Sequence, residues 1–415
     1  MCQRKKMTKN SLEIVVFAII FVQTFTHCEN RIITGSSPLD NLIIRPLFHS
    51  FRNMTFRLVG QTGLRNTGRY LQQPLEEFPC DTTFGRSEKP PTSVHKLRPG
   101  DIDIIAAMGD SLTAATGATS TSFMDLFMEN RGLAWCIGGQ WDWHNSTTLP
   151  NILRAFNPKL FGYSIGDSYP FHRASQFNVA EIGAVSADLP YMARTLIRRI
   201  KSDRRVNFKK HWKMLTISMG GNDICSFVCT WDDPESLPGK HRVSLLRTLR
   251  YIRDNMPRTF VNIVSVPSVD KVVGLRPKPE QCRLMHHIEC SCWEGRLYNQ
   301  TDELRQRLRN IQQEFIRAEA EVAQYDEFKG LQEFAVVYQP FSRNLSIKTK
   351  DEKTDYSLLA FDCFHMSQKA HAWAGTSLWN NIMEPIVEKA DSWESPSVKF
   401  KCPTKEFPYI YTHDN

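Results

Sequence analysis

Five short, nearly continuous apolar runs recur along the chain: "IDIIAAM", "FNVAEIGA", "WKMLTISMGGND", "RTFVNIVSV" and "FAVVYQPF". Runs of this length, bounded by turn residues, predict strands buried on both faces. Between them the apolar positions switch to helical spacing, predicting helices over 186–202, 243–256 and 301–325, and a last one from about Ser367 to Lys389. Strands alternating with helices favour right-handed crossovers and a parallel sheet covered on both sides. The expected fold is therefore α/β, three-layered, with a central parallel sheet.

Residues 29–99 follow another pattern, with short apolar pieces broken by "GSSPLDN", "RNTGRY" and "SEKPPTS". They predict an N-terminal extension packed on a main domain of residues 100–412. At the start of the chain Arg4, Lys5, Lys6 and Lys9 precede the apolar run Ile14 to Val22. That run is short for a bilayer span, so a signal peptide over residues 1–28 and a secreted protein are expected, with an uncleaved signal anchor as the alternative.

A chain of 415 residues, 41% apolar and 23% charged, has globular composition. Its formal charge is +8; residues 1–28 hold four bases and one acid, so +5 remains beyond them. This mild basicity suits a transient encounter with a membrane or micelle surface, or simply solubility. No basic run interleaved with aromatics occurs, which argues against nucleic acid as a partner.

Eleven cysteines, nine of them after Cys28, predict several disulfides in an oxidising compartment, with one thiol left over. "CRLMHHIECSCW" from Cys282 to Trp293 carries zinc-ligand residue types, but in a secreted chain its cysteines are expected to pair, as are Cys225 and Cys229. Asn53, Asn145, Asn299 and Asn344 begin glycosylation sequons.

Chemistry gathers at predicted strand ends, where ligands bind in open α/β sheets. Ser111 follows "IIAAM" through Gly109 and Asp110, a nucleophile's place; the look-alike Gly166-Asp167-Ser168 follows no such strand and reads as a turn. A serine hydroxyl needs a base, and the base an orienting acid. "FDCFHMSQKAHAW" supplies Asp362 and His365 three residues apart, in a turn before a helix; His371, inside that helix, is the less favoured base. Acyl transfer also needs donors for the developing oxyanion, and Asn222 in "ISMGGNDIC" and the backbone of Gly183 in "NVAEIGAVSADLP" qualify. The aromatic run Phe123 to Trp143 is a candidate acyl-chain groove, and its first half equally suits core packing of a helix after Ser111.

In order, "GDSL" at 109–112, Gly183, "GGND" at 220–223 and "DCFH" at 362–365 resemble the GDSL or SGNH hydrolase family. "GDSLTAATGA", "RGLAWCIGGQ", "DCFHMSQKAHAWAGTSLWNNIMEPI" and "KCPTKEFPYIYT" look like its phospholipase B branch, over roughly residues 40–412. The resemblance implies a flavodoxin-like sheet and a cofactor-independent serine esterase with no metal, removing acyl chains from phospholipids and lysophospholipids. It assigns Ser111 as nucleophile, His365 as base, Asp362 as its acid, and the Ser111 amide, Gly183 and Asn222 as oxyanion donors. A GDSL esterase for short or acetyl esters and a non-catalytic lipid-binding protein are the alternative expectations. Two departures stand out. The chain holds one copy of the motifs and ends in "YIYTHDN" without an apolar tail, where membrane-associated animal relatives have repeats and an anchor, so a soluble form is expected. Glu181-Ile182 stands where the branch usually has apolar and small residues.

Overall fold

The computed structural model describes residues 44–64, 72, 74–295, 301–345, 347, 349–350, 353–393 and 400–415. The proposed signal segment, Cys28 and Asn299 lie outside them. Four strands form the main sheet: β1 (Ile102–Gly109), β2 (Trp212–Ser218), β3 (Thr259–Val264) and β4 (Phe334–Gln339). They lie side by side in that order, all parallel, with Gly109 level with Ser218.

The fifth run, expected as a strand, is shorter than its sequence suggests. Phe177, Val179 and Glu181 bond to the free edge of β1 through Ala107 N to Phe177 O, Val179 N to Ala107 O and Glu181 N to Gly109 O. Pairing is short because Phe161 takes the earlier part of this β1 edge and β1 ends at Gly109, while the Arg131 guanidinium takes the outward carbonyls of Asn178 and Ala180 at 3.1 and 2.6 Å. Counting this segment, the order becomes 2-1-3-4-5, that of flavodoxin-like sheets. The expected α/β architecture with a central parallel sheet is present, with four full strands where five were predicted.

The helices, in chain order, are α1 (Ile44–Val59), α2 (Ser111–Ala114), α3 (Leu149–Phe156), α4 (Leu189–Ser202), α5 (Leu237–Asn255), α6 (Val269–Val273), α7 (Glu280–Glu289), α8 (Ser291–Glu294), α9 (Asp302–Val322) and α10 (Gln368–Ile382). Alternation along the strands sorts them into layers. Ile105, Ala107, Met214 and Phe260 face α3 and α10, whose Leu149, Ile152, Leu378 and Trp379 are fully buried. Ile104, Ala106, Leu215 and Val261 face α4 and α5, against Met192, Leu196, Leu249 and Ile252. Each buried Leu, Ile, Val, Met or Phe side chain among these stabilises the fold by about 1.5–3 kcal/mol.

Two local expectations are corrected, and one element was not foreseen. The last helix ends at Ile382 rather than near Lys389, because Pro385 has no N–H to continue it. After Ser111 there is one helical turn, closed by Ala115 in the left-handed region at φ 54°. The extension, which lacks periodicity overall, nevertheless forms α1, and Phe51 of that helix packs against Phe127 and Ile182. Cys80–Cys402 ties the extension to the C-terminal segment. Among the described residues no helix is long and apolar enough to cross a membrane.

Candidate active site

Ser111 starts α2 directly beyond β1. A side chain at Gly109 would meet Ser218 O at 2.7 Å and the Thr113 side chain at 2.3 Å, so only glycine lets the chain turn here. Asp110 caps the turn by accepting the Leu112 N–H at 2.9 Å. It is buried, and burial pushes its carboxyl up to about 6.

Asp362 and His365 come from the loop before α10. The loop is closed by Ala360 N to His365 O, by Cys363 N to Ala360 O and by the Cys282–Cys363 disulfide. Ser120 Oγ accepts from Phe361 N at 3.0 Å, joining this loop to the chain just after Ser111. Inside it, Asp362 Oδ1 accepts the amides of Phe364 and His365, and Oδ2 lies 2.7 Å from His365 Nδ1. His365 Nε2 lies 2.8 Å from Ser111 Oγ. Burial raises the Asp362 carboxyl, but the His365 ring and these donors outweigh it and hold the group below the ordinary carboxylate range.

The loops holding Gly183 and Asn222 are joined to each other. Gly183 sits at φ 72°, in the left-handed region. Asn222 Nδ2 donates to Ala184 O at 2.8 Å, which leaves its second amide hydrogen for another acceptor. Asp223 accepts the Ser186 amide at 3.0 Å, a second tie between the two loops.

Sequence reasoning missed what holds the Gly183 loop from behind. Arg52 of α1 donates to Glu181 at 2.8 Å and to Glu129 at 2.7 Å, and Glu129 also pairs with Arg131 at 2.6 Å. Arg52, Glu129 and Arg131 are all buried. Glu181, noted only as a departure from the branch pattern, is thus one end of a buried ion network. Its partner lies 129 residues away, so no local pattern could reveal it.

Other candidates resolve into structure. Asp167 anchors the Thr62 and Gly63 amides and the Asn130 side chain, the turn role expected for 166–168. His371 is buried, accepts from Trp135 N at 3.3 Å, and burial lowers it to about 3. In the cysteine-rich run, Cys282, Cys290 and Cys292 pair with Cys363, Cys225 and Cys229, and Cys136 remains a buried thiol. Among sequon asparagines, Asn53, Asn145 and Asn344 are exposed. Of the aromatic run, Trp135 and Met128 are core, whereas Phe123 is 44% exposed and meets Phe361, beside Asp362, edge-on at 5.0 Å. A cleft of about 350 Å³ opens next to that loop, lined by Ser120, Thr121, Tyr356, Phe361 and Cys363 among others.

Residues 105–378 match the family model described as GDSL-like lipase/acylhydrolase. The chain belongs to that family. All five motif residues, Ser111, Gly183, Asn222, Asp362 and His365, fall inside the matched span of this GDSL-like protein. It is 34% identical over 378 residues to the membrane-associated phospholipase B1 of Rattus norvegicus, covering 89% of this chain and 25% of that protein. The Mus musculus and Homo sapiens proteins of the same name are 34% and 33% identical over 375 residues, each with 89% of this chain and 24% of the relative covered. The chain thus spans about a quarter of the length of the curated relatives it matches.

Proposed function

We propose that this chain is a serine esterase hydrolysing acyl esters of phospholipids and lysophospholipids. The observation that carries the reading is the unbroken contact from Ser111 Oγ to His365 Nε2 and from His365 Nδ1 to Asp362 Oδ2, at 2.8 and 2.7 Å. His365 takes the Ser111 proton as Oγ attacks the ester carbonyl, and passes it to the departing alcohol. Water then hydrolyses the acyl-enzyme, with His365 again as base. Asp362 keeps the ring in the tautomer whose Nε2 can accept. The Ser111 amide, the Gly183 amide and Asn222 Nδ2 receive the oxyanion. Substrate class follows the likeness to proteins named phospholipase B1, and the exposed Phe123, edge-on to the half-buried Phe361 beside the loop, suits acyl chains or a transient lipid surface.

The paired cysteines and the exposed sequons at Asn53, Asn145 and Asn344 support a secreted, glycosylated protein entered through the signal segment 1–28, with residues 29–99 an extension of a hydrolase domain over 100–412.

The test is fatty-acid release from diacyl and lyso phospholipids by purified protein. Ser111→Ala is expected to abolish release, and Asn222→Ala to lower kcat by about 10² to 10³. Equal release by the Ser111→Ala protein would overturn the reading, and turnover of short esters alone would overturn its substrate class.

A further inference from the structure

Three disulfides converge on α7 and α8, more stapling than a surface helix pair needs. Cys282–Cys363 fastens the first turn of α7 to the loop bearing Asp362 and His365, while Cys225–Cys290 and Cys229–Cys292 fasten its far end to the segment after Asn222. Between these staples, as the last residue of α7, stands Glu289.

Glu289 Oε1 lies 3.8 Å from His365 Nδ1. One Glu289 oxygen, one Asp362 oxygen and one His365 ring nitrogen all lie within 4.8 Å of one another. The two carboxyls are supplied very unequally. Asp362 receives two backbone N–H groups and the imidazole, whereas Glu289 Oε2 is buried and no donor among the described residues reaches it. Two carboxyls sharing a dry site cannot both ionise. The one with three donors keeps the charge, so the other keeps the proton.

We propose that Glu289 is a positioning residue that acts as a protonated acid, donating its O–H to Asp362 and so holding that carboxylate, and through it the His365 ring, in line with Ser111. This rests on the reading of Ser111, His365 and Asp362 as a catalytic relay. Burial and the Asp362 charge push the Glu289 carboxyl well above the usual range. Around it stand Asp362 and His365 from their loop, and Asp110, just beyond β1, interacts with His365 and with Asp223 of the turn after Asn222. His286 is on its own helix, lowered by burial to about 4 and so neutral, and Lys278 and Glu294 pair at 3.3 Å. When Glu289 ionises, the O–H is lost and a second negative charge appears beside Asp362. The pair then repels, the ring loses its support, and kcat falls as pH rises.

The experiment is hydrolysis of p-nitrophenyl butyrate by the full chain between about pH 6 and 10, comparing wild type with Glu289→Gln, Glu289→Ala and Ser111→Ala. Glu289→Gln keeps a neutral donor, so its kcat at neutral pH is expected to stay close to wild type while the alkaline fall disappears. Glu289→Ala is expected to lower kcat by about 10- to 100-fold with KM little changed. The proposal is overturned if Glu289→Gln keeps the wild-type alkaline fall, if Glu289→Gln is as impaired as Glu289→Ala, or if Glu289→Ala turns over normally. Should Glu289→Ala fail to fold, the Glu289→Gln profile alone decides. Activity removed by a chelator and restored by zinc would also overturn it, because the three groups would then hold a cation. Full activity in Ser111→Ala would instead sink the relay on which it rests.

Discussion

Among the described residues lie two serine–histidine–carboxylate rows. In one, Ser111 Oγ meets His365 at 2.8 Å and His365 meets Asp362 at 2.7 Å; in the other, Ser186 Oγ meets His241 Nδ1 at 2.7 Å and His241 Nε2 lies 3.5 Å from Glu319 Oε1. Burial does not separate them, since all six residues are at most 6% exposed. Position and charge do. Ser111 stands at a strand end between the loops of Gly183 and Asn222, whereas Ser186, His241 and Glu319 come from the turn before α4, from α5 and from α9, with His241 against the Phe315 ring at 4.9 Å. Burial raises the Glu319 carboxyl, and its His241 and Val266 partners do not cancel that, while the donors of Asp362 more than cancel theirs. A short serine–histidine contact is therefore no sign of catalysis by itself. An acid held ionised and donors aimed at a reacting carbonyl must accompany it.

The strongest way to break this contrast is to remove each imidazole in turn. His365→Ala is expected to lower kcat by about 10⁴ or more. His241→Ala is expected to keep kcat within about tenfold while destabilising the fold by about 1–3 kcal/mol, the cost of stranding buried Ser186 and Glu319. Steady-state kinetics and thermal unfolding of both variants decide it. Equal loss of kcat would make the second row part of the chemistry.

The loop carrying Gly183 is braced from outside the sheet by Arg52. Arg52→Met leaves Glu181 without its buried partner and is expected to cost about 3–5 kcal/mol in urea unfolding. Pairing it with Glu181→Met should recover much of that loss, because an apolar pair replaces a broken ionic one. A double variant no better than Arg52→Met would show that Glu129, not Glu181, is the partner that matters.

What could be read in advance has a physical pattern. β1 to β4 are buried runs that announce themselves; Ser111 and Asn222 sit just beyond β1 and β2, and Gly183 just beyond the 177–181 segment. Asp362 and His365 are three residues apart, so their contact is a local one. Arg52 with Glu181, Glu289 with Asp362, and Ser186 with His241 and Glu319 are tertiary meetings of residues that look ordinary along the chain. Disulfide partners were equally hidden, since Cys225 and Cys229 are nearest one another in sequence yet pair 65 and 63 residues away. The 177–181 segment reads as a strand and pairs only briefly, because it shares the edge of β1 with Phe161 and β1 ends at Gly109.

The smallest expected effect concerns the acids next to each serine. Asp110 precedes Ser111 and Asp223 accepts the Ser186 amide; burial raises both carboxyls, Asp110 to about 6. A folded-state value above the 3.8 of a free aspartate means that the folded chain binds this proton more tightly than the unfolded one. The stabilisation is complete below pH 3.8 and is lost as pH rises through about 6. The gap corresponds to about 3 kcal/mol. Asp110→Asn keeps an oxygen to cap the Leu112 N–H but cannot ionise. The variant is therefore expected to gain about 2–3 kcal/mol relative to wild type between pH 4 and pH 7, measured by urea unfolding at both values. A difference that does not change with pH would show that Asp110 ionises like an exposed carboxylate. In that case, the turn beneath Ser111 would be far wetter than the packing around β1 implies.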